Sequence, residues 1–328
     1  MTLDKARDDV DPEIRKFVDA VGAAYASHGR LERLTPPEQR MVCELVRAPW
    51  RQGGPAMAST QELSIPTQRG PVRLRIYDPR VTASPKPALI YLHGGGWTLF
   101  SIDTHDRVMR EYAHRAGVVV VGVDYALAPE APFPAALEQV VEVVRWLARG
   151  EGGPGIDTRK IAIGGDSAGG NLSVCSALAL RQSGEGDRLK ALLLIYGGFD
   201  NEPSPEADRR YGGPGYMLTP EERVIFWRNY VPDPKDMQNP LARPILADLR
   251  GLPPAMLVVG ECDILIDHNR RMAERFEAAE VPVRLNVYAG ATHSFIEAMS
   301  IADVARRALQ ESSDWLKYTL TDGAGSGT

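Results

Sequence analysis

The segment of this sequence best suited to covalent chemistry is Gly165-Asp166-Ser167-Ala168-Gly169. It follows a short apolar run, Ile161 to Gly164, and precedes a helical pattern beginning near Asn171. A serine between strand and helix sits on a sharp, strained turn, where flanking glycines avoid the crowding a Cβ would cause. The helix N-terminus then aims backbone N–H groups at negative charge developing on a substrate. Upstream, His93-Gly94-Gly95-Gly96-Trp97 follows the run Ala88 to Leu92. Its glycines let bare backbone approach a carbonyl, and their N–H groups can receive a tetrahedral oxyanion together with Ala168 N–H. His93 itself reads as structural, because the donors in this chemistry are backbone groups.

A nucleophilic serine needs a base, and the base needs an orienting acid. Two histidines follow Ser167. His293 lies in a loop just past the last strand-like segment, Arg284 to Tyr288, whereas His268 opens a helix and reads as a solvated surface residue. His293 is therefore the candidate base. The acid should follow the preceding strand. Ala255 to Val259 leads into Gly260-Glu261-Cys262-Asp263, and Asp267 stands four residues on. Asp263 falls in the loop and is preferred. Asp267 reads as a helix N-cap or an anchor behind the site.

The elements that must hold these residues alternate between two patterns. Val72, Leu74 and Ile76 mark a half-buried strand. Ala88 to Leu92, Val118 to Val123, Ile161 to Gly164, Ala191 to Tyr196 and Ala255 to Val259 are runs suited to strands buried on both faces. Helical segments separate them at Ala136 to Ala148, Asn171 to Gln182 and His268 to Ala279. This is the alternation of an α/β fold with a mostly parallel sheet. Residues 1–50 read as helical, with Ile14, Phe17, Val18 and Val21 at one spacing and Met41, Leu45 and Val46 at another after Pro36-Pro37. Residues 51–59 read as a linker. Between Phe199 and Pro254 no strand is expected, only Pro/Gly-rich loop and a helix near Glu221 to Tyr230, which suggests a lid or binding element. The Gly/Ser/Thr-rich stretch 321–328 is expected to be disordered.

Composition removes several classes of function. The 328 residues are 44% hydrophobic and 25% charged, ordinary globular values, and the net charge of −5 gives no case for a nucleic-acid partner. Cys43, Cys175 and Cys262 are scattered and odd in number, so neither a disulfide framework nor a zinc site is expected. Cys175 and Cys262 read as small core residues. The charged segment 1–17 lacks the apolar core of a signal peptide. The longest apolar runs fall far short of the ~20 residues of a membrane span, so the expected location is the cytoplasm.

Several ordered motifs also carry a resemblance. They are His93 to Trp97, Asp103-Thr104-His105-Asp106, Asp124 to Glu130, Pro132 to Ala136, Gly165 to Leu172, Leu252 to Ala255, Asp263-Ile264-Leu265-Ile266-Asp267 and His293-Ser294-Phe295. Together they resemble the hormone-sensitive-lipase-like family of microbial esterases, within the α/β-hydrolase fold, from about Val72 to Tyr318. The resemblance implies Ser167, Asp263 and His293 as catalytic residues and Gly95, Gly96 and Ala168 as the oxyanion hole. It implies a catalytic domain over 51–320, with a cap built from residues 1–50 and an insertion at about 201–250. It further implies a small-molecule ester with a short acyl chain as substrate, no metal or organic cofactor, and often a homodimer. Ile264 replaces the family's usual proline, Ser294 its usual glycine, and Gly197-Gly198 stands where Tyr-Pro normally ends a strand. The same machinery could cleave amides or aryl formamides. A ligand receptor on this fold, as in plant gibberellin receptors, would have lost the histidine that is present here.

Overall fold

The protein is described by a computed structural model covering residues 9–321. The apolar runs fall within neighbouring strands, which in chain order are β1 (Ser59–Ile65), not expected from the sequence, β2 (Val72–Asp78), β3 (Lys86–Leu92), β4 (Val119–Asp124), β5 (Ile156–Asp166), β6 (Leu189–Ile195), β7 (Ala255–Cys262) and β8 (Val283–Thr292). They form a single sheet in the order β1-β2-β4-β3-β5-β6-β7-β8. The pairs β1/β2 and β2/β4 are antiparallel, and the remaining pairs are parallel. Residues Ala88 to Leu92 of β3 and Ala191 to Ile195 of β6 are completely buried. Helices cover both faces of these strands, which is why their sequences run continuously apolar instead of alternating.

The helices are α1 (Pro12–Ser27), α2 (Pro36–Arg47), α3 (Asp106–Ala116), α4 (Ala135–Ala148), α5 (Ala168–Gln182), α6 (Pro205–Tyr211), α7 (Pro220–Tyr230), α8 (Ile266–Ala278) and α9 (Asp303–Thr321). Local chemistry sets several of their starts. The Asp11 carboxylate accepts from Glu13 N and Ile14 N at 2.8 and 3.2 Å, ahead of Pro12. Thr219 and Glu222 exchange bonds at the start of α7, the reciprocal arrangement that satisfies two otherwise orphaned N–H groups.

Register delivers the chemistry to one edge of the sheet. Leu92 pairs with Gly165, so the His93 loop and the Ser167 turn leave β3 and β5 side by side. Cys262 pairs with Thr292, so Asp263 and His293 leave β7 and β8 side by side. All four sites lie beyond the carboxyl ends of parallel strands, where ligands bind in open α/β sheets.

Some elements escape the sequence pattern. β1 is an edge strand whose side chains are mostly exposed, so it carries no apolar signature. α3 and α9 bury full-length stripes that include alanine, serine and glutamate beside the larger apolar residues, so charge obscures their pattern, and α6 spans only seven residues. On α2 the expected stripe is corrected: Met41 and Leu45 face solvent at 66% and 61% exposure, while Val42, Cys43, Val46 and Arg47 are buried. Periodicity counts arginine as polar, so it places the inward face one residue off. Cys43, Cys175 and Cys262 are all buried and unbridged. The interval 199–254 contains no strand among the described residues. The expected tail lies outside the described residues except for Thr321, which closes α9. No helix among the described residues is long and apolar enough to cross a membrane.

Candidate active site

Ser167 stands between β5 and α5 with φ 51° and ψ −112°, a conformation L-residues rarely adopt. Its N–H donates to Ile195 O at 2.8 Å, and its carbonyl accepts from Gly198 N at 3.1 Å, so the strained turn is held from the neighbouring strand. The glycines on either side permit close approach: a Cβ on Gly165 or Gly169 would lie 2.0 or 1.9 Å from Leu92 O. Only bare backbone lets the turn press against β3 this tightly.

His293 Nε2 lies 3.1 Å from Ser167 Oγ, and its Nδ1 lies 2.8 Å from Asp263 Oδ2. The second Asp263 oxygen accepts from Leu265 N at 2.8 Å. Asp263 is fully buried and His293 nearly so. Burial disfavours the imidazolium of His293. The charge and hydrogen bond of Asp263, helped by the charges of Asp166 and Glu297, outweigh it, and the net direction is above the ordinary 6.5. Asp267 is not part of this chain. It sits in the first turn of α8, half-exposed, 3.8 Å from Arg270, and the N-cap position belongs to Leu265.

The glycine loop that begins at His93 follows β3. Gly95 has φ 105°, and a Cβ there would fall 2.3 Å from Leu99 O. Among the described residues, none accepts a hydrogen bond from the N–H of Gly95, Gly96 or Ala168. These donors are free to receive an anion, and Ala168 N–H belongs to the unpaired first turn of α5. His93 turns away from the site. Its ring stacks on Tyr125 at 4.3 Å, and its Nδ1 lies 2.8 Å from Gly94 O. Burial, then the neighbouring His105, pulls its pKa down to about 4, so it is neutral.

These residues open into a cavity of about 300 Å³. Its walls come from α1 (Val18, Val21), from the loop after β3 (Leu99, Phe100) and from the 199–254 insertion (Leu218, Phe226). The insertion grips the glycine loop directly. Trp97 stacks on Tyr230 at 4.3 Å and meets Trp227 edge-on at 4.8 Å. The N-terminal helices are anchored by arginines. Arg40 donates to Thr98 O and Ala128 O at 2.8 and 2.9 Å, and buried Arg47 pairs with buried Glu297 at 3.1 Å. Sequence patterns reveal none of these contacts, because each partner is distant in the chain. His268 is a correction: it is completely buried, with Nε2 2.9 Å from Glu202 O. It fastens the insertion to α8, a contact that a helix-start position alone does not disclose.

Fold and site together define a serine hydrolase built on a mostly parallel sheet. A family model for the alpha/beta hydrolase fold matches residues 89–297. An acetyl esterase of Salmonella choleraesuis is 34% identical over 275 residues, covering 83% of this chain and 84% of that protein. Among solved structures, a hyperthermophilic esterase from the archaeon Pyrobaculum calidifontis superposes with a TM-score of 0.87 at 34% identity, covering 94% of this chain and 98% of the other. A thermophilic carboxylesterase cloned from a metagenomic library does so with a TM-score of 0.84 at 34% identity, covering 88% and 99%. The chain belongs to the α/β-hydrolase family, in its hormone-sensitive-lipase-like branch, and is a serine carboxylesterase.

Proposed function

We propose that the protein hydrolyses small esters with short acyl chains through an acyl-enzyme on Ser167. The observation that carries this reading is the continuous hydrogen-bonded chain Ser167–His293–Asp263 at the floor of the cavity. His293 Nε2 takes the Ser167 proton as Oγ attacks the ester carbonyl, and the negative oxygen enters the N–H groups of Gly95, Gly96 and Ala168. The imidazolium then protonates the leaving alcohol. A water attacks the acyl group by the same relay in reverse, releasing the acid and restoring the serine. Asp263 holds the His293 tautomer and stabilises the transient imidazolium.

The short-acyl preference is supported by a cavity at the lower end of the about 300–1,000 Å³ typical of small-molecule sites, and by the acetyl esterase relative. In this reading residues 1–50, of which 1–8 lie outside the described residues, and the insertion at about 201–250 form a cap over the catalytic domain, since α1 and the insertion supply cavity walls. The proposed location is the cytoplasm, and the catalytic steps call on no cofactor. The test is Ser167→Ala, expected to lower kcat by about 10⁶, with a fluorophosphonate labelling Ser167 in the parent protein. A panel of p-nitrophenyl esters should favour acetate and butyrate over decanoate. Retained activity in the variant, or labelling at another serine, refutes the assignment.

A further inference from the structure

The motif Asp103-Thr104-His105-Asp106 has no part in the catalytic steps above, yet His105 is buried within hydrogen-bond reach of Asp166, the residue before the nucleophile. We propose that His105 is a buried imidazolium whose pairing with Asp166 fixes the oxyanion loop against the serine turn, making His105, Asp166 and Tyr91 positioning residues for ester hydrolysis. The proposal rests on the reading of Gly95, Gly96 and Ala168 as oxyanion donors.

The hydrogen bonds argue for a proton on Nδ1 and leave one proton between Nε2 and Asp166. His105 Nδ1 lies 2.8 Å from Thr104 Oγ1. That hydroxyl also lies 2.8 Å from Ser101 O and 3.1 Å from Ser101 N. A carbonyl oxygen can only accept, so the single hydroxyl proton goes to Ser101 O, and Nδ1 must donate to a Thr104 lone pair. On the other side of the ring, Nε2 lies 3.3 Å from Asp166 Oδ2, and an ionised carboxylate is likewise acceptor-only. With Asp166 ionised, the state its lowered pKa favours, both ring nitrogens carry protons. The electrostatics agree. Burial disfavours the imidazolium, but the charge and hydrogen bond of Asp166 override it and raise His105. Burial disfavours the Asp166 carboxylate in turn, but His105 overrides that and lowers it. The other groups facing His105 do not displace this pair. Tyr91 and His93 lie at ring distances of 6.5 and 5.7 Å, and Phe100 covers it at 5.7 Å. Arg47 and Glu297 act at longer range with opposite signs.

The remaining oxygen of Asp166 carries the positioning. Oδ1 accepts from Tyr91 OH at 2.8 Å and from Gly94 N at 3.1 Å. Asp166 is covalently joined to Ser167, and Gly94 to Gly95. One carboxylate thus ties the loop that carries Gly95 and Gly96 to the turn that carries Ser167 and Ala168. Donors aimed at a developing oxyanion lose their effect when displaced, and removing one costs about 10²–10³ in kcat. Loosening the tie should cost part of that, in kcat more than in KM, because the oxyanion exists only after attack.

The test has two arms. In the folded protein with isotope-labelled histidine, the ¹⁵N resonances of His105 at pH 7 should both fall in the protonated range. Asp166→Asn keeps the acceptor for Tyr91 and Gly94 but removes the charge, and His105→Gln removes the cation. Each should lower kcat about 10–100-fold with KM within about threefold. Each should also erase any fall in kcat caused by His105 losing its proton as pH rises. A neutral-tautomer spectrum at pH 7 overturns the proposal even if neither variant folds, and so does a His105→Gln enzyme within twofold of the parent kcat with an unchanged pH profile. These outcomes are separable from failure of the nucleophile assignment, which shows itself as activity in Ser167→Ala or as fluorophosphonate labelling at another serine.

Discussion

Replacing Arg47 with methionine should destabilise the protein severely, and replacing Glu297 as well should restore it. The two side chains are 3% and 4% exposed and meet at 3.1 Å. Removing the guanidinium leaves a buried carboxylate without its counter-ion, which costs about 3–5 kcal/mol in comparable buried pairs. The upper part of that range is expected, because Glu297 Oε1 already lacks a hydrogen-bond partner and Oε2 would lose its own. The lost cation also packs over the rings of Phe17 and Phe100, at 5.7 and 5.0 Å. At about 2.1 cal/mol/K of unfolding entropy per residue, a chain of 328 residues shifts by roughly 1.5 °C per kcal/mol, so Arg47→Met should lower Tm by roughly 7 °C. The double variant Arg47→Met/Glu297→Leu replaces the pair by apolar groups. Arg47 Nε is itself unpartnered, so the native pair is incompletely satisfied, and the double variant should regain most or all of the loss. Urea and thermal unfolding of the parent, both single variants and the double variant complete the cycle. A loss below about 1 kcal/mol for Arg47→Met, or a double variant no better than the single, would refute the reasoning that this ion pair anchors the N-terminal helices beside His293.

The remaining predictions concern the site. Asp263→Asn should lower kcat by about 10⁴, whereas half-exposed Asp267→Asn should stay within a few-fold of the parent; steady-state rates with one ester at saturation compare them. His293 must be neutral to accept the serine proton, and its pKa is raised, so kcat/KM should fall with decreasing pH at a midpoint above the ordinary 6.5. A midpoint below that value would contradict the dominance of Asp263 over burial. Ser294 adopts φ 61° and ψ 11°, so Ser294→Gly should remove roughly 1–2 kcal/mol of left-handed strain. Against this stands roughly 0.4–1 kcal/mol of added unfolded-chain entropy. A slightly higher Tm with kcat within about twofold is the expected result, and a lower Tm would show that the serine hydroxyl contributes more than the strain removes.

What the sequence alone determined is local in the chain. The pentapeptide around Ser167, the glycine run after His93 and the apolar strands ahead of both need only a few consecutive residues, and backbone geometry follows from them directly. Chain order then singles out Asp263 and His293, and the structure brings them within hydrogen-bond distance of each other and of Ser167. The tertiary structure decided what depends on distant partners. Strand register puts Cys262 opposite Thr292, and no pattern within either strand specifies that pairing. The buried face of α2 includes Arg47 because Glu297, 250 residues away, waits to receive it. His268 is buried because the insertion folds over it. The proposed charge on His105 has the same origin: a ring nitrogen's protonation follows from the acceptors around it, and its acceptor Asp166 lies 61 residues further along the chain. Periodicity reads residue types one at a time, whereas burial of a charged group becomes tolerable only once its partner is in place.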